Sequence, residues 1–204
     1  MSPVRDLLGA DGPLARELDG FAPRAEQQAL AEAVDRALAG SGALVGEAGT
    51  GVGKTFAYLV PALRRGGKVI ISTGTRHLQD QLFHSDLPRV RRALGVPARV
   101  ALLKGRSNYL CLHRLALADG VPLTRRADLA AQLDHVRSVA RHSDSGDIAE
   151  IGAVPEDSPL WPYVTSTTDN CLGRECPAYN DCFVLKARRR AQEAEVVVVN
   201  HHLL

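Results

Sequence analysis

The sequence predicts an α/β fold: a doubly wound parallel sheet that carries a phosphate-binding loop and is interrupted by a mostly helical insertion with four cysteines. Three observations predict it. A glycine-rich run, Gly46-Glu47-Ala48-Gly49-Thr50-Gly51-Val52-Gly53-Lys54-Thr55, stands between a short apolar run expected as a strand, Ala43-Leu44-Val45, and the helix-like stretch Phe56–Leu63. Short β-branched runs, Val69-Ile70-Ile71 and Val196–Val199, alternate with amphipathic stretches, as buried parallel strands alternate with crossover helices. The alternation then fails between residues 109 and 190, where prolines, polar tracts and three closely spaced cysteines appear.

The loop comes first because the rest is built around it. It follows the pattern G-x-x-x-x-G-K-S/T except that Ala48 fills the first glycine position. Gly49, Gly51 and Gly53 let the backbone take positive φ and turn its N–H groups toward phosphate oxygens. The helix that starts near Lys54 adds the positive end of its dipole. Lys54 is placed to reach the β- and γ-phosphates of a nucleotide, and the Thr55 hydroxyl to hold Mg²⁺. Lys54 and Thr55 are therefore the candidate catalytic pair, and Glu47, Ala48, Gly49, Thr50, Gly51, Val52 and Gly53 the rest of the candidate nucleotide cradle. A flexible surface loop with a solvated lysine does not explain why Lys-Thr follows three alternating glycines.

The totals bound the alternatives. The chain has 204 residues, 45% apolar and 24% charged, with net charge +2. That suits one globular domain, or one domain with an insertion. A charge so near zero points to no nucleic acid, so such binding has to come from local patches. No apolar stretch approaches the roughly 18–20 residues that span a bilayer. Met1-Ser2-Pro3-Val4-Arg5-Asp6 lacks an apolar signal core, which predicts a cytoplasmic chain with no membrane partner.

In order, residues 1–20 carry breaks at Gly9, Gly12, Pro13 and Gly20 and are expected to form a loosely held arm. Ala25–Ala39 has apolar residues at 30, 33, 34, 37 and 38, one helical stripe, closed by Gly40 and Gly42. Gln27 and Gln28 read locally as an exposed helix face. Lys68–Ser72 is the next strand, and Ser72-Thr73-Gly74-Thr75 leaves its carboxyl end, where open α/β sheets bind ligands. Thr75 is the expected cap of a helix with Leu78, Leu82 and Phe83 on its apolar side. Asp86–Leu94 carries Arg89, Arg91 and Arg92 on an expected solvated face. Ala98–Leu103 is a further strand. Residues 109–142 look helical, 143–170 read as loop, and Phe183–Ala194 is a basic helix with Lys186, Arg188, Arg189 and Arg190.

Cys111 is followed at a distance by the group Cys171, Cys176 and Cys182, spaced C-x4-C-x5-C. Four thiols suit tetrahedral zinc or an iron–sulfur cluster. The paired C-x2-C knuckles usual in zinc ribbons are absent, which tilts the reading toward a cluster. A metal would also supply folding free energy to a segment whose proline-rich half offers few apolar residues. Four buried reduced thiols are the plainer alternative. His113 reads as a helix-surface residue, and His201 and His202 as packing or ligand contacts at a strand mouth.

Taken jointly, several blocks resemble the superfamily 2 iron–sulfur DNA helicases of the XPD/DinG-like group. They are Pro23-Arg24-Ala25-Glu26-Gln27, the loop 47–55, Ser72–Thr75, Leu78-Gln79-Asp80-Gln81-Leu82, Lys104–Cys111, the three-cysteine group and Val197–His202. The resemblance implies a RecA-like P-loop sheet, the incomplete first helicase motor domain, with the four-cysteine domain inserted. It implies an arm over 1–20, motor domain over 21–108, insertion over 109–190 and a return to the motor core over 191–204. It makes Gln27 the adenine-reading residue with Arg24 beside it, and ATP with Mg²⁺ the ligands of the loop. The four cysteines become the holders of a 4Fe-4S cluster. Ser72, Thr73, Gly74 and Thr75 become contacts to single-stranded DNA, with Arg106, Tyr109, Lys186 and Arg188 further along its path. The implied partners are single-stranded or forked DNA and replication or repair proteins, in the cytoplasm at the nucleoid. The implied activity is ATP-dependent 5′-to-3′ unwinding.

The family carries a D-E-A-H box shortly after Asn200-His201-His202, and this sequence stops before it. Such a piece is expected to bind nucleotide weakly and neither to hydrolyse ATP quickly nor to unwind DNA. Two other readings remain: a small-molecule kinase, which has no use for the cysteine insertion, and a non-enzymatic zinc-stapled module that binds nucleic acid beside a vestigial P-loop.

Overall fold

The computed structural model describes residues 4–40, 42–122 and 126–203. Met1–Pro3 of the expected arm, residues 123–125 of the helical-looking stretch and Leu204 lie outside the described residues. The chain divides into two compact units, Met1–Leu102 with Glu193–His201, and Leu103–Gln192 with His202–Leu204.

The first unit is a mixed α/β layer structure. Its elements are α1 (Val4–Leu7), α2 (Pro13–Glu17), α3 (Ala25–Ala39), α4 (Lys54–Arg65), β1 (Val69–Thr73), α5 (Arg76–Gln81), α6 (Leu87–Leu94), β2 (Val100–Leu103) and, from the far end of the chain, β3 (Val196–Asn200). The sheet order is β1-β3-β2, and β1 runs parallel to β3 from Val69 opposite Val196 to Thr73 opposite Asn200. A parallel neighbour needs a long crossover, which the helices supply. The central place of β3 explains its composition: Val196, Val197, Val198 and Val199 are all buried.

The edge strand behaves differently from expectation. β1 alternates inside and outside, and Ile70 is 57% exposed. The expected strand at 43–45 is also absent: Leu44 and Val45 are exposed and their segment is irregular. Among the described residues no strand lies beside them to take their ladder hydrogen bonds, and a lone extended segment has no reason to stay regular.

Residues 4–20 are not loose. Val4, Leu8 and Leu14 are buried in one cluster with Ala31 of α3, Leu59 and Val60 of α4 and Leu87 and Val90 of α6. The breaks at Gly9, Gly12 and Pro13 separate two short helices rather than freeing the chain, and the Gln28 side-chain amide donates to the Leu8 carbonyl at 3.1 Å. Gln28 is thus tied down instead of lying on an open face. Gly40 closes α3 as expected. The Thr75 hydroxyl caps α5 by accepting from the Leu78 N–H at 3.2 Å. Leu78 itself is half exposed, and the burial falls on Gln79 and Leu82. From α5 the helix passes through a π turn, Leu82–Asp86, directly into α6.

The second unit contains α7 (Leu112–Leu117), α8 (Ala127–Ala140), α9 (Trp161–Val164) and α10 (Phe183–Glu193) around a core of its own. The segment 143–170, expected as loop, gives that core Ile151, Val154, Leu160, Trp161 and Val164. Its prolines set turns and do not keep it from packing; the Pro155 carbonyl accepts from the Trp161 indole at 2.8 Å. Lys104 and Asp147 form an ion pair at 2.7 Å, each side chain 5% exposed. Gly146 has φ +63° and lies under the Phe183 ring, with no room for a Cβ. Among the described residues no helix is long and apolar enough to cross a membrane.

Candidate nucleotide site and cysteine pocket

The glycine-rich loop ends as the sequence predicts, at the first turn of a helix. Gly51 and Gly53 have φ of +79° and +82°, and α4 begins at Lys54. The Lys54 ammonium donates to the carbonyls of Ala48 and Gly49 at 2.6 and 2.8 Å. Those bonds hold it, exposed, over the loop. Thr55 follows inside the first turn, half-buried. Glu47, Gly49, Thr50 and Gly51 are exposed, Ala48, Val52 and Gly53 half-buried.

Gln27 is where local sequence reasoning and geometry part. It is 3% exposed, and its amide nitrogen donates to the Gly53 carbonyl at 3.0 Å. Its other polar atom, Oε1, is buried with no protein partner. A buried amide oxygen left unpaired is costly, about 1–3 kcal/mol, and marks a place where a ligand donor fits. The same residue lines a cavity of about 490 Å³ with Phe21, Phe56, Arg24, Gly53, Glu17, Asp19, Arg89 and Arg92. Phe21 and Phe56 stand 6.4 Å apart, centroid to centroid. Arg24 is exposed at its rim. Arg89 and Arg92 are exposed, as expected of a solvated face, and their i, i+3 spacing also brings both to the edge of this cavity, where Arg92 pairs with Glu17 at 3.1 Å. Sequence reasoning misses Phe21 and Phe56 too. An aromatic residue three before Arg24 is a signal, but one that only the fold makes legible.

A second cavity of about 470 Å³ opens on the other side of the loop's end. Lys54, Thr55, Tyr58, Ser72, Thr73, Gly74 and Asp86 line it. The Ser72–Thr75 turn is therefore at the carboxyl edge of β1, beside the P-loop lysine. It is pre-shaped: the Thr73 hydroxyl donates to the Thr75 carbonyl at 3.2 Å, and the His201 ring nitrogen Nδ1 is 3.2 Å from the Thr73 carbonyl. Burial raises the Asp86 carboxyl above its ordinary range, with Arg89 and a hydrogen bond from Gln81 pulling the other way. Burial likewise raises the Tyr58 phenol.

In the second unit, Cys111, Cys171, Cys176 and Cys182 all line one narrow pocket of about 30 Å³, with His113 and Tyr179. None forms a disulfide. Cys111 is fixed by its N–H to the Val164 carbonyl at 2.8 Å, next to the bridge between Leu110 and Thr165. The Arg106 guanidinium lies 2.9 Å from the Cys171 sulfur. Among the described residues no three His, Cys, Asp or Glu side chains converge as ligands of a single ion do. Arg106, Arg174 and Arg188 share an adjoining cavity of about 280 Å³ with Thr168 and Tyr179. Lys186 stands over the Phe183 ring at 5.6 Å and pairs loosely with Asp181. Tyr109 departs from expectation. It is 3% exposed, and its hydroxyl accepts from the Lys104 N–H at 3.0 Å. A ring packed in the core has no free face for a base, so Tyr109 is a core residue and not a stacking platform.

A parallel sheet, a P-loop opening a helix and a glutamine turned onto that loop define a nucleotide-binding domain of the helicase class. Comparison with known proteins agrees: residues 27–125 match the DEAD/DEAH box helicase family. The chain is 54% identical over 204 residues to the ATP-dependent DNA helicase YoaA of Escherichia coli strain K12, covering 98% of this chain and 31% of that protein. It is 48% identical over 202 residues to YoaA of Haemophilus influenzae, with 98% and 31% covered. It is 37% identical over 210 residues to the ATP-dependent helicase DinG of Mycobacterium tuberculosis, with 91% and 31% covered. The chain belongs to the DinG family of DEAD/DEAH box helicases. It spans about a third of the length of the curated relatives it matches.

Proposed function

We propose that this chain is the nucleotide-binding and iron–sulfur part of an ATP-dependent DNA helicase that moves 5′-to-3′ along single-stranded DNA. One observation carries the reading: the unpaired Oε1 of Gln27 sits in an aromatic- and arginine-lined cavity whose floor is the P-loop glycine Gly53. Adenine offers the exocyclic amine that such an oxygen lacks. Phe21 and Phe56 offer it apolar walls, and Arg24 a cation at the rim. The triphosphate then extends along 47–53 toward Lys54, which exchanges its loop carbonyls for phosphate oxygens. Thr55 would hold Mg²⁺, which neutralises charge building on the phosphates.

Residues 109–190 are proposed as the inserted cluster domain. Four reduced thiols lining one pocket, with the Arg106 guanidinium against the Cys171 sulfur, form a donor set that fits a 4Fe-4S cluster. The pocket as it stands has room for about one water, so the Cys171–Cys182 loop would open to admit the cluster. Ser72, Thr73, Gly74 and Thr75 are proposed to meet DNA beside the nucleotide site, and Arg106, Arg188 and Lys186 offer cations for backbone phosphates. Single-stranded or forked DNA and replication or repair proteins are the proposed partners, in the cytoplasm at the nucleoid.

The test is ATP turnover by the protein at its natural length, with and without single-stranded DNA, for parent and Lys54→Ala. Strong stimulation by DNA that Lys54→Ala abolishes is the expected result. Turnover unaffected by DNA, or by loss of Lys54, would overturn the motor reading and leave the zinc-stapled module. Iron and acid-labile sulfide, about four of each per chain after purification without oxygen, decide the cluster; one zinc and no iron would overturn it.

A further inference from the structure

Gly146 carries no metal donor, yet it touches the chain neighbours of two of the four thiols. Its carbonyl accepts from the N–H of Leu110, the residue before Cys111, at 2.8 Å. Its Cα lies against the ring of Phe183, the residue after Cys182, so closely that a Cβ would fall inside the ring's volume. Leu110 is 1% exposed and Phe183 3%, and in a close-packed core neither side chain has space to give way. Gly146 is itself pinned. Its φ is +63°, its N–H donates to the Ser143 hydroxyl at 2.8 Å, and the next residue, Asp147, is held by Lys104 in the buried ion pair.

The four thiols of the pocket divide accordingly. Cys111 and Cys182 stand at the starts of α7 and α10, where their carbonyls accept from the N–H groups of Leu115 and Lys186 at 2.8 and 2.9 Å. Cys171 and Cys176 belong to a stretch of tight turns whose residues Leu172, Gly173, Arg174 and Glu175 are all exposed. We propose that Gly146 is a positioning residue for the cysteine centre: it sets the spacing of a rigid pair, Cys111 and Cys182, against which the adaptable pair, Cys171 and Cys176, closes on the metal. A methyl group at residue 146 would push Phe183 off the Leu110 backbone and so spread the rigid pair. The proposal rests on the cluster reading of the four cysteines. Groups behind a ligand that fix its place are worth about 10-fold or more in metal affinity.

The test uses the protein at its natural length, purified without oxygen. Iron content, the visible absorbance of the cluster and the rate of iron loss to a ferrous chelator are measured for parent, Gly146→Ala, Phe183→Leu and Val136→Ala. Phe183→Leu keeps the site apolar and takes the ring off Gly146. Val136→Ala is the control: it opens a cavity in the same core from α8, outside the segments that carry the cysteines. At a temperature where circular dichroism shows all four folded, Gly146→Ala and Phe183→Leu are expected to lose iron about 10-fold faster than the parent. Val136→Ala, with its lowered unfolding midpoint, is expected to lose it at the parent's rate. One rate for all four proteins, or equal acceleration in Val136→Ala, reduces Gly146 to a packing residue and overturns the assignment. If Gly146→Ala does not fold, Phe183→Leu against Val136→Ala decides it. A parent with about four irons and no such difference fails the Gly146 assignment alone; a parent with one zinc and no iron fails the cluster reading and the assignment with it.

Discussion

Gly53→Ala removes no atom, yet it should be among the most damaging single changes to the first unit. Gly53 has φ +82°, a region that costs a residue with a Cβ roughly 1–2 kcal/mol. The new Cβ would also lie 3.0 Å from Gln27 Cδ and nearer still to its amide nitrogen. Gln27 is buried, so its side chain has nowhere to retreat without giving up its bond to the Gly53 carbonyl, about 1 kcal/mol, and stranding a buried amide, about 1–3 kcal/mol. The sum is about 3–6 kcal/mol. Gly51 supplies the control, since its φ is +79° but nothing lies within 4 Å of where a Cβ would stand. Gly51→Ala should lose only the conformational part, about 1–2 kcal/mol. Urea unfolding followed by circular dichroism measures both, and an m-value near 2 kcal/mol/M turns the larger loss into a midpoint shift of about 2 M. Gln27→Ala in the Gly53→Ala background should recover about 1–2 kcal/mol relative to additivity. Equal losses for the two glycines, or an additive double variant, would refute the collision.

Three further outcomes follow from single contacts. Lys104→Met should destabilise the second unit by about 3–5 kcal/mol, because it leaves Asp147 charged and buried, and Lys104→Met/Asp147→Leu should recover most of that in a thermal melt. Tyr109→Phe should cost about 1 kcal/mol in the same melt through the lost acceptor for the Lys104 N–H. Burial raises the Asp86 carboxyl, so its protonated form is the one the fold favours. As pH climbs from the ordinary carboxylate value, about 3.9, through the raised one, the parent should lose stability relative to Asp86→Asn. Below that window the difference should be level; paired melts across acid pH check the sign.

What the residues revealed in advance was mostly local. The loop from Gly49 to Thr55 was legible because positive φ and a helix start are properties of neighbours in sequence. Thr75 as a cap and Val196–Val199 as a buried parallel strand were legible for the same reason. Gln27 was not, since nothing in the Ala25–Ala39 stripe says that its amide crosses to Gly53, 26 residues away. Only the family resemblance assigned it. Arg89 and Arg92 were legible as exposed, but a charged helix face says nothing of the cavity that it borders. Val45 and Ile70 misled, as apolar residues whose burial depends on a neighbouring strand. Segment 143–170 looked like loop because prolines hide short helices, yet Trp161 and Val164 anchor a core. Tyr109 shows the limit of reading an aromatic beside basic residues as a stacking surface; the Lys104 backbone had already engaged its hydroxyl.

The packing of residues 4–18 has a consequence for handling the molecule. Leu8 and Leu14 are fully enclosed by α3, α4 and α6. A protein trimmed to start at the first family motif, near Phe21, would keep every residue named for nucleotide binding by sequence pattern. It would also present the bare apolar flanks of three helices to solvent, lose Glu17 and Asp19 from the wall of the Gln27 cavity, and leave Arg92 without its partner. Poor solubility of such a trimmed form would then report a missing piece of core, and its weak nucleotide binding a missing wall, with the P-loop itself intact.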